Sequence, residues 1–339
     1  MQEQKKITLA VESSCDETAA AVLSGGRDVL SNIIFTQIPV HKKYGGVVPE
    51  IASRHHIAKI MPVIDAALTD ADISAAQVNQ IAVTYGPGLV GALLVGVSAA
   101  KALAFAWDVP LIAVNHLEGH IFANFLCHKE LEPPFVALVV SGGHTSLVRV
   151  ADYNNFSSLG NTRDDAAGEA FDKIARVMGL PYPGGPQIDR LAKEGDENAI
   201  VFPRALTEKD NYEFSFSGLK SAVLSYINTA RMKGEALNMP DVAASFQRAV
   251  VDVLVQKTIA AAQSAELDTV VLSGGVAANS ALSTKLRVAT HAAKLRFFAP
   301  TPVYCTDNAA MIACRGYYQA QAGIFADLTL NAVPSLDLI

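Results

Sequence analysis

Charge is scarce in this chain: Asp, Glu, Lys and Arg make up 18% of 339 residues, against about a quarter in ordinary globular domains. Half the residues are hydrophobic and the mean hydropathy is positive, which excludes a disordered or fibrous chain. A basic excess is also missing. The net charge of −6 excludes a protein whose whole surface grips nucleic acid, though not one with a local basic patch or a basic partner. Only four cysteines occur, Cys15, Cys127, Cys305 and Cys314, with no CxxC spacing. That rules out a disulfide scaffold or zinc ribbon and predicts a reduced, cytoplasmic protein. Met1–Lys6 is polar and runs directly into a strand-like segment, so no signal peptide is expected. The longest apolar stretch, Leu89–Ala106, is broken by Gly91, Gly96 and Lys101. It reads as a buried helix and not a membrane span. No low-complexity linker appears, and neither a Walker loop nor a GxGxxG dinucleotide fingerprint is present.

The length is sufficient for two domains, each with its own core. Ile7–Val11, a polar turn Glu12–Thr18 and Ala19–Leu23 read as strand, turn, strand. Phe135–Val140, Ser141–Thr145 and Ser146–Val150 repeat that layout, which points to two similar α/β lobes. Pro49–Leu68 has a helical rhythm that Pro62 should kink or interrupt. Gln80–Tyr85 reads as a strand, Val90–Trp107 as a helix buried by its small residues, and Leu111–Val114 as another strand. In the second half Asp164 and Asp165 can cap a helix running to about Met178. Pro181–Pro186 should form a rigid loop, followed by long helices over Ser217–Lys233 and Pro240–Ala265. Asp268–Leu272 is a buried strand entering Ser273-Gly274-Gly275, and Asn279 opens the next helix.

Against this background, His116 and His120 stand out. Residues at i and i+4 share one helix face, so both imidazoles can reach one divalent metal. Far downstream, Asp307 is an isolated carboxylate in a polar turn ahead of an apolar helical pattern. Two His and one carboxylate leave metal positions open for a substrate. Two Ser-Gly-Gly turns, Ser141–Gly143 and Ser273–Gly275, follow strands, with Gly184-Gly185 between them. Glycines there let backbone N–H groups approach an anion, which points to a nucleotide site. Asp172 and Asp189 are short acceptors suited to ribose hydroxyls, and Asn279 can hold a base or sugar. Glu12, Asp16 and Glu17 cluster at the first hairpin tip, as a general base, as groups that orient a second substrate, or as plain turn residues. Lys42, Lys43, Arg54, His55 and His56, with Tyr44, form a basic stretch open to phosphate contact or simply to solvent.

Taken in order, these pieces resemble the TsaD family, the tRNA threonylcarbamoyladenosine transferases once described as glycoprotein endopeptidases. The stretches that carry the likeness are Glu12–Thr18, Tyr44–Glu50 with Ala52–Arg54, Gly86–Gly91, His116–His120, Val140–Thr145, Asp164–Lys173, Tyr182–Pro186, Phe214–Lys220, Gly274–Asn279 and Cys305–Asn308. Departures are small: Ala278 where Ser is common, Arg163 before the paired aspartates, and a C-terminal tail without the usual basic ending.

The resemblance implies an actin-like, Hsp70-like (ASKHA) α/β fold, duplicated and two-lobed, with a nucleotide in the interlobe cleft. The lobes are expected at residues 1–115, with 318–339 returning to the first, and at 116–317, the second carrying metal and nucleotide sites. It implies one divalent metal, Fe2+ or alternatively Zn2+, on His116, His120 and Asp307. Val139, Val140, Ser141, Gly142, Gly143, Asp172, Gly185, Asp189 and Asn279 are expected to contact threonylcarbamoyl-AMP. Glu12 is the candidate for proton removal or for holding the tRNA base. Implied partners are tRNA, a paralogous inactive actin-like subunit of TsaB type and a small P-loop ATPase of TsaE type, with no membrane. Rival readings are a small-molecule kinase on the same fold, a metalloprotease suggested by HxxxH, and a filament or chaperone subunit. The protease reading lacks its base, because Leu117 follows the first His and Glu118 points away from the histidine face.

Overall fold

Two five-stranded mixed sheets organise the chain in a computed structural model that describes residues 5–208 and 210–338. Unit 1 comprises Met1–Leu131 and Pro300–Ile339, and unit 2 comprises Glu132–Ala299. In unit 1 the strands are β1 (Ile7–Glu12), β2 (Glu17–Ser24), β3 (Asp28–Thr36), β4 (Gln80–Gly86) and β5 (Leu111–Asn115), in spatial order β3-β2-β1-β4-β5. Its helices are α1 (Ile38–His41), α2 (Pro49–Asp70), α3 (Val90–Trp107) and α4 (His116–Cys127). Unit 2 has β6 (Phe135–Val140), β7 (Thr145–Val150), β8 (Phe156–Asn161), β9 (Thr269–Ser273) and β10 (Arg296–Phe298), ordered β10-β9-β6-β7-β8. Its helices are α5 (Ala167–Val177), α6 (Gly184–Ala192), α7 (Ser217–Lys233), α8 (Met239–Ser264) and α9 (Ser280–Ala292). The chain then adds α10 (Pro302–Cys305) and α11 (Ala309–Gln321) to unit 1.

Read from the meander edge, the two sheets have the same plan. Each begins with an antiparallel hairpin, Ile7↔Ser24 through Glu12↔Ala19 in one and Phe135↔Val150 through Val140↔Thr145 in the other. Each then gains a parallel strand beside the first, with Val11↔Val83 and Val139↔Ser273 in register. The repeated strand-turn-strand layout in the sequence is therefore a structural duplication. The central strands are apolar on both faces because helices cover both. In unit 1, Leu9, Val11, Ile81 and Val83 pack with Ile60, Ile64, Val97 and Ala100 of α2 and α3. Alternation along the strand turns Ala82 to the opposite face, where Gly316 of α11 lies so close that a Cβ would sit 2.6 Å from the Ala82 methyl.

Several expectations change. The division falls after Leu131 and Ala299, so the His116/His120 helix belongs to unit 1 and not to a second lobe starting at residue 116. The cause is packing: α4 lies against α11, and α11 against β1, β2, β4 and β5. Pro62 does not break its helix, which runs unbroken over Pro49–Asp70. Both Pro62 and Ala58, whose carbonyl loses its partner, are exposed, and water can satisfy that carbonyl. Helix α3 buries one face only: Ala92, Leu93, Gly96, Val97, Ala100 and Ala104 are inside, while Val90, Leu94 and Phe105 are exposed. Asp164 and Asp165 do not cap α5, whose N-cap is Ala166. Asp164 instead accepts from the N–H groups of Phe216 and Ser217 at the start of α7, and Asp165 pairs with Lys173 and Lys220. The Pro181–Pro186 loop ends early, because Gly184 already begins α6.

Candidate metal centre and glycine turns

Strands β1, β4 and β5 run parallel, so their C-terminal ends share one edge of the unit 1 sheet. That edge presents Glu12, Thr84 and Asn115. Asn115 caps α4 by accepting from the Leu117 N–H at 2.8 Å, which sets the helix going at His116. The two imidazoles then stand one turn apart, ring centroids separated by 4.6 Å. Asn308 caps α11, accepting from the Met311 N–H at 3.0 Å, and fixes Asp307 just before that helix. Gly119 faces α11, where an added Cβ would sit 2.6 Å from Ile312 Cδ1, so the glycine allows α4 and α11 to approach.

The approach brings together all three sequence-predicted ligands, with ligand atoms within 4.8 Å of one another. Asp307 Oδ1 lies 3.4 Å from His116 Nε2 and 3.3 Å from His120 Nε2. Both rings are buried, and neither nitrogen of His120 has a hydrogen-bond partner. A buried imidazole without partners, aimed at a carboxylate beside a second imidazole, is the donor set that a divalent transition ion such as Fe2+ or Zn2+ takes. The residues fit a metal.

Glu12 occupies a different place from the one expected. It is fully buried, with Oε2 3.0 Å from His116 Nδ1 and 2.6 Å from the Thr84 hydroxyl, while Oε1 accepts from the Ser14 N–H at 2.5 Å. A carboxylate accepts only, so Nδ1 carries the hydrogen and Nε2 is turned toward Asp307. Both Glu12 oxygens are thus engaged, one of them by the His116 ring. Sequence reasoning did not foresee this contact, nor Thr84 and Ser14, whose Oγ lies 3.2 Å from His116 Nδ1. Glu118, the residue that a protease reading would need as its base, is paired with Arg315 of α11.

The charges reinforce one another. Burial opposes ionisation of Glu12, but the His116 charge and hydrogen bond outweigh it and hold the carboxyl below the ordinary range. Burial likewise opposes charge on His116, yet Asp307 and Glu12 raise its pKa well above the ordinary histidine value. Asp307 is held far below the carboxylate range, burial being overcome by His116 and His120. His120 is lowered, chiefly by burial, and is the neutral member of the pair. Beside them, burial together with the Asp307 and Asp16 charges pushes the Glu17 carboxyl up to about 10.

In unit 2 the glycine turns leave adjacent parallel strands, β6 and β9, at the same C-terminal edge, where open α/β sheets bind ligands. Val139 and Val140 are fully buried and offer only backbone. Ser141 closes a tight turn, its N–H donating to the His144 carbonyl at 2.9 Å. Gly142, Gly143 and Gly275 face open space, with nothing within 4 Å of where a Cβ would be. Gly274 is required by its backbone: φ is +91° and a Cβ would lie 2.3 Å from the Val140 carbonyl oxygen. Asp172 Oδ1 accepts from the Gly184 N–H at 2.7 Å, which places Gly185 beside Phe171. Asp189 accepts from the Ser280 hydroxyl, and Asn279 caps α9 through Leu282 while donating to Gln247 at 2.8 Å. The Asn279 side chain thus uses one donor and one acceptor within the fold. In the basic stretch Lys42 and Lys43 are exposed, but His56 is fully buried and unavailable to phosphate.

Comparison with known proteins adds to this geometry. The family model for TsaD, tRNA N6-adenosine threonylcarbamoyltransferase, matches residues 28–314. The chain is 58% identical over 332 residues to the tRNA N6-adenosine threonylcarbamoyltransferase of Clostridioides difficile, covering 98% of each. It is 58% identical over 330 residues to that of Moorella thermoacetica, covering 97% of this chain and 96% of the other. Among solved structures, HypF of T. kodakarensis matches with a TM-score of 0.66 at 15% identity, over 94% of this chain and 48% of that one. Component A of the Acidaminococcus fermentans (R)-2-hydroxyglutaryl-CoA dehydratase matches with a TM-score of 0.54 at 13% identity, covering 94% of this chain and 100% of that one. The structural likenesses show the fold alone, an actin-like ASKHA-type arrangement.

Proposed function

The chain belongs to the tRNA N6-adenosine threonylcarbamoyltransferase family, and on that premise we propose the reaction in detail: the threonylcarbamoyl group of threonylcarbamoyl-AMP passes to the exocyclic N6 of adenosine 37, in tRNAs that read codons beginning with A. The observation that carries this reading is the His116–His120–Asp307 set, its two rings buried and its carboxylate half-buried, with Glu12 fixed behind it. His116, His120 and Asp307 would hold one divalent ion, Fe2+ or Zn2+, which supplies Lewis-acid polarisation of the acyl carbonyl when bound. Glu12 keeps His116 in the tautomer that presents Nε2. The N–H groups of Gly142, Gly143 and Gly275 receive the adenylate phosphate. Asp172 and Asp189 are the candidate acceptors for ribose hydroxyls. The amine nitrogen forms the new bond to the carbonyl carbon, the acyl–phosphate bond breaks, and AMP leaves with the electron pair. The amine proton passes to a carboxylate of the Cys15–Glu17 loop, where Asp16 Oδ2 is buried without a hydrogen-bond partner. A neutral aryl amine is a weak nucleophile, so orientation supplies much of the rate.

The exposed apolar face of α2 and α3, with Ile57, Met61, Val90, Leu94 and Phe105, supports docking of a paralogous actin-like subunit of TsaB type. With it, and with a P-loop ATPase of TsaE type, the acidic chain need not hold tRNA alone, and Lys42 and Lys43 offer it a local phosphate contact. A tRNA substrate, and four cysteines that are all free, support a cytoplasmic location. The test is to combine purified protein and partners with ATP, threonine, bicarbonate and unmodified tRNA, and to read the nucleosides by mass spectrometry. Asp307→Ala is expected to abolish t6A formation; retained activity removes the metal's assigned role. The kinase and protease readings are not favoured by the family match or by the placement of Leu117 and Glu118.

A further inference from the structure

We propose that His56 is a positioning residue that clamps the hairpin loop carrying Asp16 and Glu17, a role that rests on the transfer reaction above. His56 lies in the middle of α2 and is fully buried. Its ring spans the loop. Nε2 is 2.9 Å from the Cys15 carbonyl oxygen and Nδ1 is 2.8 Å from the Thr18 hydroxyl. A carbonyl only accepts, so the partners assign the hydrogen to Nε2, and Nδ1 accepts from Thr18. The 3.4 Å approach of Gln37 Nε2 to the same ring nitrogen then joins two donors and is no hydrogen bond; the amide turns instead to the Ala52 carbonyl. Burial keeps the His56 pKa below the ordinary value, which agrees with a neutral ring.

The middle of the loop is held as well. The Gln37 N–H donates to the Asp16 carbonyl at 2.9 Å, and Gln37 Oε1 accepts from His41 Nε2 at 3.2 Å. His41 Nδ1 in turn accepts from the Val48 N–H at 3.3 Å. Both ends of Cys15–Thr18 are thus tied to one imidazole and the centre to a buried glutamine. These bonds fix the backbone that carries Asp16, whose Oδ2 is buried and takes no part in them. None of them touches Glu12, His116, His120 or Asp307, so the clamp is separable from metal binding.

The test compares His56→Leu, which keeps bulk and loses both hydrogen bonds, with His56→Gln, whose amide N–H can still donate to the Cys15 carbonyl. Cys15 lies inside the clamped segment, so its alkylation by iodoacetamide, followed by peptide mass spectrometry, reads the loop without turnover. In His56→Leu alkylation is expected to accelerate about tenfold or more, the factor that losing a buried hydrogen bond implies. Its kcat for t6A formation falls at least about tenfold while KM for tRNA and Zn2+ affinity stay at wild-type values. His56→Gln recovers most of both losses. Unchanged Cys15 protection in His56→Leu overturns the proposal, as does loss of kcat and Zn2+ affinity together, which marks damage to the fold. If the wild-type protein with its partners forms no t6A, the reaction falls, and the alkylation arm still decides whether His56 clamps the loop.

Discussion

Replacing Glu12 by Gln should cost metal affinity out of proportion to its single-atom change. The two carboxylate oxygens serve different donors: Oε1 takes the Ser14 N–H, and Oε2 takes His116 Nδ1–H and the Thr84 hydroxyl. An amide has only one oxygen. If that oxygen faces Ser14, the amide N–H groups face His116 Nδ1, and the imidazole must shift its hydrogen to Nε2 to avoid two opposed donors. That shift removes the Nε2 lone pair that a bound metal would need. If the oxygen faces His116, the amide N–H groups meet the Ser14 N–H at 2.5 Å, and a buried donor is left unpaired. Either way one charge-assisted hydrogen bond is lost, worth about 1.5–3 kcal/mol. That corresponds to roughly 10–100-fold in affinity, the range usual for the outer partner of a metal-binding histidine. The assay is Zn2+ titration of purified protein against a chromophoric chelator, with Thr84→Val as control. The control removes a donor but keeps the carboxylate, and should weaken binding by no more than about threefold. A Glu12→Gln variant that binds Zn2+ within about threefold of wild type would falsify the assignment.

Metal binding should expel a proton, because Asp307 and Glu12 keep His116 charged at neutral pH and a ligand imidazole must be neutral. Affinity is expected to rise about tenfold per pH unit until the raised His116 pKa is passed; calorimetry in buffers of different ionisation enthalpy counts the proton, and pH-independent binding near neutrality would refute the coupling. Gly143→Val should leave the thermal unfolding curve in place, since nothing lies within 4 Å of its Cβ, yet weaken AMP binding measured by calorimetry about tenfold or more. Asp164→Ala should lower stability in urea unfolding by about 1 kcal/mol through loss of the α7 cap. Burial pushes the Asp164 carboxyl up, but its hydrogen bonds with Ser215, Phe216 and Ser217 together outweigh that and hold it below its ordinary value. Its contribution is therefore present above the unfolded-state pKa and fades as pH falls through the lower folded-state pKa. An Asp164→Ala deficit that is constant down to strongly acid pH contradicts this.

What the sequence made legible was local. The strand-turn-strand pair was readable because both first strands are uninterrupted apolar runs ending in polar turns. His116 and His120 were readable because i and i+4 share a face on any helix, whatever surrounds it. Asp307 was readable only in company, as the carboxylate that completes a ligand set with the paired histidines. What failed depended on choices that the fold makes later. Asp164 sits just ahead of α5 but serves α7, since an exposed carboxylate caps whichever helix start the chain brings to it. The small residues of α3 fit a helix buried on every side as well as one with a face left for a partner, and composition cannot separate the two.

Glu12 is instructive, because its contacts follow from strand order and not from its own neighbourhood in the sequence. Strand order β1-β4-β5 sets Glu12 behind His116 while α11 delivers Asp307 in front, packing a buried and a half-buried carboxylate against two imidazoles. With His116 charged and His120 neutral, that cluster retains one net negative charge in a region of low dielectric, an arrangement that is costly to bury. Exchanging the His116 proton for a divalent cation cancels the charge and gives the unpartnered His120 nitrogen a bond. On this reasoning the second carboxylate is needed electrostatically: without Glu12 the loaded site would carry a net positive charge beside buried apolar strands. On the proposed reading Glu12 therefore belongs with the residues that would hold the metal, and the proton chemistry with the loop that follows it.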